Sequence, residues 1–198
     1  MSFLSYLING ISLGSVYAII ALGYTMVYGI ARMLNFAHGD IIMVGGFVIF
    51  TMVSTLGLPP MVGVLVAVIA CTVLGVVIER VAYKPLRGAS SLAVLITAIG
   101  VSYLLQNVAL LIFGSNARQF TSVVNVPSLK LAGGALSISG VTLVTIITCI
   151  VIMAALTTFI NKTKVGQAML AVSEDTGAAT LMGINVNSTI AITFAIGS

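Results

Sequence analysis

Charge is the first thing this sequence lacks. Only 6% of its 198 residues are Asp, Glu, Lys or Arg, four acidic and eight basic. A soluble domain carries about 25%, so these side chains cannot cover a water-facing surface, and a soluble core protein is excluded. One histidine and two cysteines argue against a catalytic zinc centre, which gathers several His, Cys or carboxylate ligands in one place, so no metal site is expected. No Gly-Lys-Ser/Thr occurs, so the chain lacks a P-loop for ATP. No nucleophile–base pair stands out either, so neither catalytic residues nor cofactors are expected. The basic residues are scattered over separate breaks and form no continuous patch, which excludes nucleic acid as a partner. Cys71 and Cys149 each lie within apolar sequence and read as buried packing residues, not a disulfide. Met1-Ser2-Phe3-Leu4 has no basic flank and leads into a stretch too long for a signal-peptide core, so a retained first helix is expected.

What the sequence does have is long uncharged runs. Residues 1–31, 41–78, 88–117, 131–161 and the last 23 contain no charged side chain, and 60% of the chain is hydrophobic. About 20 mainly apolar residues span a hydrocarbon core. The expected fold is therefore all-α, a polytopic helix bundle whose partner is the lipid bilayer. The first helix covers about residues 6–30. Gly57-Leu58-Pro59-Pro60 splits the second run, because paired prolines remove donors and clash with the preceding turn. That leaves a short, broken second helix at 41–56 and a full one at 60–83. Further helices are expected at about 91–113, entered through Ser90 or Ser91 as N-cap, and 141–161. Residues 114–140 form a periplasmic loop with scope for a hairpin, and 162–187 are the most polar stretch. A sixth segment begins near 188 and stops at Ser198, half the length needed to cross, so the expectation for 1–198 is one transmembrane domain cut short at its C-terminus. With the N-terminus outside, the cytoplasmic breaks hold Arg32, Arg80, Lys84, Arg87, Lys162 and Lys164, and the outer ones only Arg118 and Lys130. Lys and Arg mark the cytoplasmic side, which favours this orientation.

Four places carry more specific information. Gly10, Gly14, Ala18, Ala21, Thr25 and Gly29 fall on one stripe of the first helix and read as a helix-packing seam. Arg32-Met33-Leu34-Asn35-Phe36-Ala37-His38-Gly39-Asp40 joins that helix to the short one. Either it lies at membrane depth and lines a cavity, as broken helices of transporters do, or it is a cytoplasmic turn with Asp40 as cap. On the first reading Asn35, His38, Gly39 and Asp40 line a substrate pathway. Gln106 and Asn107, amides in mid-membrane, either bond a neighbouring helix or face the same conduit. Glu79 to Arg87 is a basic anchor beside anionic head groups.

The fourth place, 162–187, reads as two short helices, about 165–173 and 176–182. Ser173 and Asp175 are candidate N-caps and Gly183 a stop, with apolar knobs at Met169, Leu170, Leu181 and Met182 and alanines 171, 178 and 179 leaving a smooth surface. Such a pair suits docking into a partner's cleft or lying on the membrane.

Taken together, Gly10-Ile11-Ser12-Leu13-Gly14-Ser15-Val16-Tyr17-Ala18, Met26-Val27-Tyr28-Gly29-Ile30 leading to Asn35–Asp40, Ile78-Glu79-Arg80-Val81-Ala82-Tyr83, Thr97-Ala98-Ile99-Gly100 with Gln106-Asn107, and the stretch ending Gly183-Ile184-Asn185 resemble the permease of high-affinity branched-chain amino-acid ABC importers. The resemblance runs along essentially the whole chain. It implies a transport subunit of the bacterial inner membrane, not an enzyme. It also implies a second homologous permease subunit, two ATP-binding subunits and a periplasmic amino-acid-binding protein. In that family the segment resembling 166–185 contacts the ATPase, which marks Gly166, Ala171, Glu174, Asp175, Ala179, Gly183, Ile184 and Asn185 as coupling residues. Family members continue with further helices beyond the point matching Ser198. A permease for urea or short amides would look alike, and an ATP-independent channel or secondary transporter is the competing class, with Asp40 as its acidic candidate.

Overall fold

The computed structural model describes residues 2–116, 126–131 and 136–198. Helix α1 spans Ser2–Ala31. Helix α2, His38–Phe50, continues through a π turn at Thr51–Thr55. Helix α3, Pro60–Ile78, is extended by a π turn at Glu79–Tyr83 and a 3₁₀ turn at Lys84–Leu86. Helix α4 is Ser91–Phe113. Strands β1, Leu129–Leu131, and β2, Leu136–Ile138, pair antiparallel with Lys130 opposite Ser137. Helix α5 is Gly140–Lys162, α6 Lys164–Glu174, α7 Thr176–Leu181 and α8 Val186–Gly197. Five helices are long and apolar enough to cross a membrane, so the chain is an all-α, multi-pass membrane protein with one small hairpin in its loop.

Local chemistry explains the boundaries. Pro60 opens α3, where its missing N–H is not needed. The Ser90 hydroxyl accepts from the Ala93 N–H and caps α4, as its sequence suggests. Asp175 and Asn185 cap α7 and α8 in the same way. Gly183, at φ 81°, ends α7. Its N–H bonds the Thr180 carbonyl and the Ile184 N–H bonds that of Ala179, the paired bonds of a Schellman stop.

Three expectations need correcting. The second helix begins at His38, not 41, so His38, Gly39 and Asp40 are helical and Asp40 caps nothing. Ser173 is no N-cap, because its hydroxyl donates back to the Leu170 carbonyl inside α6. Met169 and Ala179 are buried, and only Leu170, Leu181 and Met182 remain as exposed knobs. In short helices lying on a bundle, one face must point inward, and these two residues are on it. Arg118 lies outside the described residues.

The chain forms two compact units. In one, α5 accompanies α1 up to Leu22, and the Cys149 thiol donates to the Ser15 carbonyl at 3.4 Å. The other contains the rest of α1 with α2, α3, α4, α6, α7 and α8. Its core includes Ile41, Tyr83, Met169, Val172 and Phe194, all at most 1% exposed. Helix α1 crosses α8 where glycine faces glycine. A Cβ on Gly23 would lie 2.9 Å from the Gly197 carbonyl oxygen, so this approach tolerates no side chain. Both cysteines are buried and free.

Candidate functional site

The site begins with where α2 starts. Ala31 ends α1 and Arg32 turns the chain at φ 52°, a left-handed conformation that costs a non-glycine residue about 1–3 kcal/mol. The chain then doubles back. Around His38 the packing is level with Gly23 of α1, where a Cβ would lie 3.0 Å from His38 Cε1. Gly23 is eight residues above the end of α1, about 12 Å at 1.5 Å per residue. Asp40 bonds Ser102 and Gln106, which lie eleven and fifteen residues beyond the start of α4, about 16 and 22 Å along it. Cys71 donates to the Ile41 carbonyl at 3.5 Å, fifteen residues from Leu86, where the α3 extension ends. Three helices thus place the first turn of α2 well inside the bundle, level with the middle of α4 and set back from the end where α1 stops and α4 starts.

At that depth a carboxylate needs partners, and Asp40, 8% exposed, has them. The Ser102 hydroxyl donates to Oδ2 and the Gln106 amide to Oδ1 at 3.0 Å. The same amide also meets Ser102 Oγ at 3.2 Å. Both donors are neutral side chains, and Asp40 lies in the first turn of α2, at the positive end of that helix's dipole. Gln106 also lines an open groove of about 420 Å³ with Met43, Phe47, Ala109 and Leu110. Phe47 stacks on Phe113 at 4.2 Å beyond it. A fixed carboxylate next to an apolar groove can hold a cationic head while an aliphatic body lies alongside.

The other pathway candidates divide. Asn35 is buried and its Oδ1 accepts from the Tyr83 hydroxyl at 3.0 Å, pinning the loop between α1 and α2 to α3. His38 is buried with its ring 6.3 Å from that of Tyr24. Gly39 is exposed. Asn107 does not join the cluster, because its amide donates to the Tyr103 carbonyl of its own helix at 2.7 Å. Sequence reading missed Ser102, although Ser102 and Gln106 stand four apart on one face of an otherwise apolar helix. It also missed Tyr83 and the Glu79–Arg87 ion pair, in which Glu79 is 2% exposed and Arg87 reaches on to Asn187.

The coupling candidates gather in α6, α7 and the turn to α8. Gly166 and Ala179 face inward, Ala171 and Ile184 are half-buried, and Glu174, Asp175, Gly183 and Asn185 are exposed. Asp175 is held below its ordinary value of 3.8 by the Ala178 and Gly177 N–H groups, with the Arg32 charge adding to them. Leu181 and Met182, 90% and 83% exposed, project from the corner. On α1 the residues at 10, 14, 18, 21, 25 and 29 are all exposed, so the stripe is not the face of α1 covered within the described chain. Met26, Val27, Ile30 and Ala31 are. Among the described residues no cluster of His, Cys, Asp or Glu could hold a metal ion.

Comparison with known proteins adds identity to geometry. Residues 6–198 match the family described as the permease component of the branched-chain amino acid transport system. BraD, a permease protein of the high-affinity branched-chain amino acid transport system of Pseudomonas aeruginosa, is 38% identical over 206 residues, covering 99% of this chain and 67% of its own length. The LivH permease proteins of Salmonella typhimurium and Escherichia coli K12 are 40% identical over the same coverage. A more distant relative, a probable LivH of Methanocaldococcus jannaschii, is 28% identical over 178 residues. No solved structure matches. Agreement along nearly the whole length with several transport permeases makes this chain a member of the branched-chain amino acid transport permease family.

Proposed function

We propose that this chain is the permease subunit of an ATP-driven importer that carries leucine, isoleucine and valine into the cytoplasm across a bacterial inner membrane. The observation that carries this reading is the 38–40% identity, over 99% of the chain, with permeases named for branched-chain amino acid transport. The site's chemistry supports it. The Asp40 carboxylate, steadied by Ser102 and Gln106, meets the ammonium of a zwitterion, and the groove beside it takes the branched side chain. Asn35, His38 and Gly39 belong to the moving wall of the pathway. The excess of Lys and Arg in alternate breaks supports an outside N-terminus, which puts α6, α7 and the Gly183-Ile184-Asn185 turn in the cytosol. There they engage one of two ATP-binding subunits, and a periplasmic amino-acid-binding protein delivers solute from the other side. The exposed small-residue stripe on α1 is offered to a second permease subunit, where small side chains permit close helix approach.

Reconstitution tests this reading. Proteoliposomes containing the chain and its partners should accumulate labelled leucine only when ATP is supplied, and an ionophore should not prevent it. D40N should leave assembly intact and cut uptake at least about tenfold, the range expected for losing a buried charge contact. Uptake that follows the ion gradient with ATP present would overturn the reading. So would transport competed by urea and not by leucine.

A further inference from the structure

Helix α1 ends without glycine or proline. Its last turn runs into Arg32, the one non-glycine residue with positive φ among the described residues. Asn or Gly would take this conformation more readily, so the side chain itself needs explaining. The guanidinium reaches 141 and 142 positions along the chain and donates to the carbonyls of Ser173 at 2.8 Å and Glu174 at 3.1 Å. These belong to the last turn of α6, where carbonyls have no partner within the helix and the dipole is negative. Both bonds come from the same nitrogen, Nη2, whose two N–H groups lie in the plane of the guanidinium at the end of a long side chain. Asp175, the cap of α7, feels the same charge. Arg32 therefore grips the corner between α6 and α7 with its side chain. Its backbone starts the loop that Asn35 fastens to Tyr83 and that ends at the Asp40 triad. The grip and the triad are eight residues apart.

We infer that Arg32 is the positioning residue that carries motion of the α6–α7 corner to the start of α2. This rests on the transport reading above. A push on the corner drags the Arg32 turn, and the short loop moves the first turn of α2 against α4, where Asp40 meets Ser102 and Gln106. The left-handed turn matters because it aims the guanidinium at α6 while sending the backbone up towards His38.

Two variants separate the grip from the backbone. R32G accepts the positive φ freely but removes the guanidinium, and R32K keeps the charge on a shorter side chain without the planar, fixed donors. Each is reconstituted in the complete complex, and leucine uptake and ATP hydrolysis are followed together. R32G should assemble and hydrolyse ATP near the wild-type rate while uptake falls about tenfold or more, within the usual range of coupling effects. The ATP consumed per leucine then rises in proportion, and R32K should lie between. A merely structural residue would lower both rates together and leave the ratio alone. An unchanged ratio in R32G therefore overturns the inference. If R32G does not assemble, an unchanged ratio in R32K does so. Wild-type uptake indifferent to ATP would instead sink the transport reading, so the two failures are distinguishable.

Discussion

Individual side chains here are placed by the scarcity of water. Glu79 is almost fully buried and its counter-charge is Arg87, which also reaches Asn187 at the start of α8. Removing one member of such a pair strands the other without its partner and typically costs about 3–5 kcal/mol. E79A should therefore lower the thermal stability of the purified protein in detergent by that order. A melt superimposable on wild type would show that Arg87 finds another counter-charge. The pair was illegible in the sequence because Glu79 and Arg87 are eight apart, more than two helical turns. A π turn and a 3₁₀ turn lie between them, a departure from regular helix that the sequence does not announce. Asp40 was legible as an acid in an apolar setting, but its partners were not. Ser102 and Gln106 come from a helix more than sixty residues later, and nothing in the intervening sequence sets the α2–α4 register.

At the scale of elements, composition and capping were enough to place most boundaries. Ser90, Asp175 and Gly183 have local chemistry that depends on neighbours a few residues away, so their roles can be read directly, whereas the cap that Asn185 supplies to α8 was not anticipated. The inward face of α6 could not, because which side of a short helix is covered depends on the bundle beneath it. The cap of α7 makes a prediction about acid. Asp175 is held below 3.8 by the N–H groups it accepts from. A carboxyl with a lowered value in the folded state stabilises that state above its unfolded value and loses the effect as pH falls through the folded one. Amide protection at Gly177 and Ala178 should hold down to about pH 4 and decline only below it. D175N, which caps without titrating, should show no such decline. Protection lost equally in both would assign the acid response to another group.

At the scale of the whole molecule, the apolar runs and the resemblance agree on a membrane transport component, and the family match bears this out. What hydropathy could not convey is depth, because apolar residues look the same at every level of the bilayer. The stagger of α2 against α4 has a further consequence. Phe47 of α2 stacks on Phe113 at the very end of α4, yet α2 and its π turn run eight residues further, to Thr55. That overhang is about 12 Å. Its counterpart at the other end is a gap beneath the first turn of α2, filled by the loop Arg32–Ala37 instead of by helix. Phe36 and Gly39 are exposed there, so the rest of the described chain leaves this part of the loop and the first turn of α2 uncovered. Single cysteines at 36 and 39 should accordingly react with a charged, membrane-impermeant maleimide added on the α4-entry side, although hydropathy alone assigns position 39 to the edge of a greasy segment. A cysteine in place of Leu104 of α4, which is exposed and lies between the two Asp40 partners Ser102 and Gln106, should stay unlabelled. The lipid barrier would then be thinnest beneath Asp40, and a short displacement of one loop would suffice to open it.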